Sequence, residues 1–197
     1  MIDGPSPLEI ARDPNGWLAK SNEFYISGKI LLEIRLENWD KWNKEHLGHL
    51  VTEKDKEVRQ LINIKTPIVF NLAFSIELLV KAILVHQNPT KWIPDNGIIK
   101  FSHETHELII KNIPIKLSDL EEKISKRIHE YVSFGKYPER RRPGDIIENY
   151  ENLFNFHPYV NWSLYEYFEI ISTLREKLKS FLFDCMEEKK PSFCRGG

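Results

Sequence analysis

Between Thr66 and Gln87 the chain carries its most restrictive stretch, TPIVFNLAFSIELLVKAILVHQ, in which almost every residue from Ile68 to Val85 is apolar. Thr66 as N-cap and Pro67 at the first helical position, where a missing N–H costs nothing, mark a helix start. On a 3.6-residue period Ile68, Leu72, Ala73, Ile76, Leu79, Val80 and Ile83 share one broad face, while Phe70, Phe74, Leu78 and Val85 mix with the polar residues opposite. A helix apolar nearly all round either spans a membrane or forms the central rod of a bundle. Glu77 and Lys81 argue against the membrane, since each costs about 2.5–3.5 kcal/mol at a bilayer centre. The stretch is therefore read as a buried central helix, with no membrane partner.

The flanking sequence is helical as well. Residues 1–16 hold three prolines and no periodicity, which predicts an extended N-terminal arm. Leu18, Phe24, Ile26, Ile30, Leu31 and Ile34 recur at three- and four-residue steps, predicting a helix over about 16–42 with Gly28 inside it. His46-Leu-Gly-His49 reads as a break, and 52–64 as a shorter helix. Residues 88–102, with two prolines and an Asp-Asn-Gly turn signal, read as a loop whose last part is a weak strand candidate. A short helix over 103–113 stops before Pro114.

Ser118-Asp-Leu-Glu121 and Ser163-Leu-Tyr-Glu166 are capping boxes that open two further helices, the last running to about Glu188 on a stripe of Leu164, Phe168, Ile171, Leu174, Leu178 and Leu182. The connection 134–161 has no clear period, and a structureless segment of that length tends to be functional. The expected fold is all-α: an antiparallel helical bundle of five or six helices over 17–188, with a flexible tail at 189–197.

With 41% hydrophobic and 29% charged residues the chain reads as globular, and a net charge of −1 leaves any nucleic-acid surface to a local patch. The first residues lack a secretory pattern and Cys185 and Cys194 have no metal-ligand spacing, so a cytoplasmic location is expected. His46/His49 and His103/His106 are spaced at i,i+3, but His103-Glu-Thr-His106 is one residue short of the HExxH metalloprotease pattern and has no third ligand in view. Neither a metal nor a cofactor is expected.

Three segments, in this order, resemble the HEPN superfamily (higher eukaryotes and prokaryotes nucleotide-binding domain). Ser75-Ile-Glu-Leu-Leu-Val-Lys-Ala82 is similar to the "IELLLKA" helix of bacterial members. Thr105-His106-Glu107-Leu108 stands where these have "GHxL", and Gly135-Lys136-Tyr137-Pro138 where they have "GRYP". Trp17-Leu-Ala-Lys20 fits the same order, so the resemblance covers about 17–187. It implies a helical bundle, a homodimer, and RNA or nucleotides as ligands, in a toxin–antitoxin or phage-defence setting. The superfamily's metal-independent RNA cleavage rests on an Arg followed after four to six residues by a His. None of the nine arginines here has a His at that distance, and Lys41-WNKE-His46 has the spacing without the guanidinium.

Glu77 and Lys81, four apart on the central helix, read either as an anchoring ion pair or as the edge of a binding site. His106 opens a short helix, where the helix dipole disfavours its charged form; it is the candidate catalytic proton-transfer residue, or else a satisfied structural histidine. Lys136, Tyr137, Arg140, Arg141 and Arg142 interleave cations with aromatics, the pairing that single-stranded RNA or nucleotide recognition needs. The rival reading is a non-catalytic helical interaction module that regulates a partner protein.

Overall fold

The computed structural model describes residues 5–45, 64–102, 104–136 and 164–188, with side chains for 5–39, 64–102, 104–132 and 164–188. Every regular element among them is helical, in the order α1 (Pro7–Arg12), α2 (Pro14–Glu45), α3 (Lys65–Gln87), α4 (Pro89–Trp92), α5 (Thr105–Asn112), α6 (Asp119–Lys136) and α7 (Leu164–Glu188). The all-α expectation holds, and Asn96–Phe101 forms no strand.

Residues 7–12 correct the expected extended arm. Ser6 accepts from the Glu9 N–H while Glu9 reaches back to the Ser6 N–H, a complete capping box that winds Pro7–Arg12 into a helix. Pro7 and Pro14 stand where helices start, so they open α1 and α2 instead of holding the chain extended. A second short helix, α4, begins at Pro89 behind an Asn88 cap within the expected loop. The Asp-Asn-Gly signal closes as a turn, with Gly97 at φ 72° donating to the Pro94 carbonyl. The connection expected over 134–161 begins late, because α6 continues through Lys136; its remainder, the expected 52–64 helix up to residue 63, the break at 46–49 and Ser163 of the second box lie outside the described residues.

The four long helices alternate in direction. Along α2, Trp17, Ser21, Phe24 and Gly28 meet Lys81, Ser75, Phe74 and Leu72 of α3 in turn, so one rises as the other falls. Asn22 and Tyr25 meet Arg175 and Ser172 of α7, and Glu121 and Tyr131 of α6 meet Lys177 and Tyr167 of α7, both antiparallel. At Gly28 the two backbones come close: a Cβ there would lie 2.9 Å from Cγ and Cδ2 of Leu72. That contact explains a glycine inside a long helix.

α3 is the common wall, packing on α2, α6 and α7. All seven residues of its predicted face are fully buried, and so is Leu84. By length and composition it is apolar enough to cross a membrane, but 83% of its most apolar window is buried among the other helices, as a core rod requires. Its start differs from expectation. Lys65 is the first helical residue and Ile64 the cap, so Pro67 is the third, still among the first N–H groups that have no intrahelical acceptor. Ser118 and Glu121 do form the expected box at α6, with bonds of 2.7 and 3.3 Å.

Candidate functional site

On α3 the i,i+4 spacing places Lys81 one turn after Glu77, with Nζ 2.5 Å from Glu77 Oε1 and side-chain exposures of 9% and 1%. The ammonium also lies over two aromatic faces, 5.6 Å from the Phe101 centroid and 5.8 Å from that of Trp17. Phe101 is held by an edge contact to Trp17 and by stacking on Trp92. The start of α2 and the 93–102 segment thus meet over one cation, with the end of α4 stacked on Phe101. Attraction to the ring quadrupoles, worth roughly 0.5–2 kcal/mol per ring, helps offset the desolvation of Lys81. A pair this enclosed behaves as an anchor: both charges are neutralised inside the protein, and the ammonium has little freedom to reach a ligand.

His106 sits differently, half-buried as the second residue of α5. Its Nδ1 is 2.8 Å from Ser125 Oγ on α6. Both contacts are satisfied together when the Ser125 proton goes to the Glu122 carbonyl at 2.9 Å, and Ser125 then accepts from Nδ1–H. In the neutral ring Nε2 then carries the lone pair. This is how a histidine is prepared as a base or as a hydrogen-bond acceptor: one nitrogen fixed by a second residue, the other left for chemistry. Glu107 and Glu122 flank it, and their carboxyls lie below the usual range chiefly through Lys111 and Lys126, with His106 adding a smaller pull.

The hydrogen bond of His106 runs to α6, whereas Lys81 is committed to Glu77 and the aromatic rings; no hydrogen bond joins His106 to the pair. Lys136 ends α6, and its side chain lies outside the described residues, as do Tyr137, Arg140, Arg141 and Arg142. His46, His49 and His103 also lie outside them. Among the described residues no group of three or more His, Cys, Asp or Glu side chains is placed to hold a metal.

Two polar clusters escaped the sequence reading. Glu121 is 1% exposed and receives Lys177 Nζ at 2.6 Å in addition to the Ser118 N–H. Burial alone raises its carboxyl, but the Lys177 and Ser118 hydrogen bonds outweigh burial and hold it below the ordinary value. Beside Lys177 an open cleft of about 350 Å³ runs between Ile115–Lys116 and Ser180–Asp184. Arg175, on α7, is 3% exposed although it stands in the charged run Arg-Glu-Lys. The signal for it was spacing: it lies four residues past Ile171 and three before Leu178, beside the apolar stripe.

The chain matches no protein-family model, no curated protein and no solved structure.

Proposed function

We propose that this is a HEPN-like helical-bundle protein that binds or acts on RNA or nucleotides, as a homodimer, in a toxin–antitoxin or phage-defence setting. The observation that carries the reading is His106, whose Nδ1 is committed to Ser125 so that Nε2 is an acceptor in the neutral ring. Such a nitrogen can take the proton of a ribose 2′-OH. The supporting sequence features are the Ser75–Ala82 helix, the Thr105–Leu108 segment and the run Lys136-Tyr137-Pro-Glu-Arg140-Arg141-Arg142, whose cations fix phosphates and whose ring stacks a base. Glu77 and Lys81 act in this reading as an internal anchor and not as ligand contacts.

The test is binding of single-stranded RNA across a salt series. Replacing Arg140, Arg141 and Arg142 by alanine should weaken binding and lower the salt slope by about 2, at roughly 0.7 per lost phosphate contact. If RNA is cut without added metal, His106→Ala should slow cutting about 10²–10⁴-fold.

A second reading has its own observation. Ile26 and Ile30, one turn apart on α2, are 55% and 48% exposed, an apolar pair on the solvent side of a long helix. A non-catalytic module that regulates a partner protein would use such a face. Absence of RNA binding by the wild type at low salt would decide for it.

A further inference from the structure

Arg175 is a costly side chain to bury. It is 3% exposed, and burial lowers the affinity of its guanidinium for its proton. A buried cation ordinarily faces a carboxylate at close range. Here Nη2 donates to the amide oxygen Oδ1 of Asn22, a neutral acceptor, and the guanidinium carbon stacks 4.4 Å from the Tyr25 ring centroid. Among the described residues the carboxylate in contact is Glu176, which touches Nη1 at 3.5 Å, is 66% exposed, and is shared with Lys179 at 3.4 Å. Nε, also buried, has no acceptor among the described residues.

The cradle around the guanidinium is fixed. Tyr25 stacks on Phe168, and its hydroxyl donates to Ser172, whose own proton goes to the Phe168 carbonyl. Asn22, having given its oxygen to Arg175, keeps two Nδ2 hydrogens. Among the described residues the α2–α7 seam therefore holds an unpartnered donor on Arg175 Nε and a loosely held one on Nη1, beside the amide of the partly exposed Asn22, with no carboxylate in firm contact. An apolar residue of similar volume would be cheaper to bury. The retained charge points to a ligand.

We propose that Arg175 and Asn22 form a binding site for a phosphate group, free or carried by a nucleotide, entered by swinging Glu176 away from Nη1. Guanidinium and phosphate are matched in geometry and charge, and Tyr25 holds the guanidinium flat while the anion is exchanged. The site is separate from the Arg140–Arg142 run and does not depend on RNA binding there.

The test is thermal unfolding of the full chain with millimolar inorganic phosphate, a nucleoside 5′-monophosphate or acetate, each against chloride at matched ionic strength. At ten times the dissociation constant, phosphate should raise the wild-type midpoint by roughly 3–6 °C. The Arg140/Arg141/Arg142→Ala variant should respond alike, and Arg175→Met should lose the response. Glu176→Gln, which removes the competing carboxylate from an exposed position, should tighten phosphate binding severalfold and keeps the test available if Arg175→Met does not fold. A greater response to the monophosphate than to inorganic phosphate identifies a nucleotide as the carrier. No saturable phosphate response in the wild type, an equal response in Arg175→Met, a Glu176→Gln variant with unchanged affinity, or a preference for acetate overturns the proposal.

Discussion

Glu77 on α3 and His106 on α5 were alike in the sequence, each a polar residue in a segment resembling the same family, yet their surroundings in the bundle are opposite. Glu77 is 1% exposed and bonded to Lys81, whose ammonium lies over the rings of Trp17 and Phe101. His106 is half-buried, with one nitrogen tied to Ser125. In the enclosed pair the Lys81 ammonium meets the Glu77 carboxylate inside the protein, whereas the histidine is oriented with its second nitrogen outside that bond. Burial of a polar group therefore does not by itself mark a site. What marks one is a hydrogen-bonding capacity that the fold arranges and then leaves unspent.

Substitutions can break this contrast. The largest effect is expected at Glu77→Ala, which strands the Lys81 ammonium in the interior: a loss of about 3–5 kcal/mol, or roughly 6–20 °C in unfolding midpoint. Replacing Glu77 and Lys81 together by methionine should recover most of that loss. A Glu77→Ala variant as stable as wild type in urea would show that the pair is not an anchor.

Next is Glu121, whose charged hydrogen bonds are worth about 2 kcal/mol. Its folded-state carboxyl lies below its unfolded value, so its contribution is complete above the unfolded pKa and disappears as pH falls through the folded one. Urea titrations at descending pH should show wild type converging on Glu121→Gln in acid; parallel curves would exclude this role.

Gly28→Ala should cost about 1 kcal/mol, because overpacking against Leu72 exceeds the gain in helix propensity. A stabilised variant would mean that α2 and α3 can move apart without loss. The smallest effect on stability is expected at His106→Ala, about 0.5–1 kcal/mol for one half-buried hydrogen bond. If the contrast is right, the order reverses when RNA cleavage is assayed: His106→Ala acts strongly, and the Glu77/Lys81 double methionine variant weakly.

The central helix was legible because an unbroken apolar run leaves few places for it to lie, and the Ser118–Glu121 box because its bonds are local. The N-terminal arm was misread because the three prolines there outweighed the Ser6-Pro-Leu-Glu9 box, although proline is well tolerated at a helix start. The lid over Lys81 could not be read at all. Trp17 lies far in sequence from Trp92 and Phe101, and meets them only through the antiparallel return of α3 and the loop after it. Arg175 was hidden for a related reason: its charge suggested solvent, and only the position of α2 turns that face of α7 inward.

Arg12 carries a consequence for how the molecule breathes. From the end of α1 its Nε donates to the Ile93 carbonyl, and its Nη2 holds Asp95 at 2.7 Å. The first helix thus acts as a latch on the segment leading to Phe101. Releasing it, by Arg12→Ala or by removing residues 1–12, should speed amide exchange from Ile93 to Phe101 and leave α6 and α7 protected. Exchange there reports on the rim of the aromatic lid, and faster exchange in the variant would tie a six-residue helix to the access of water to the buried lysine.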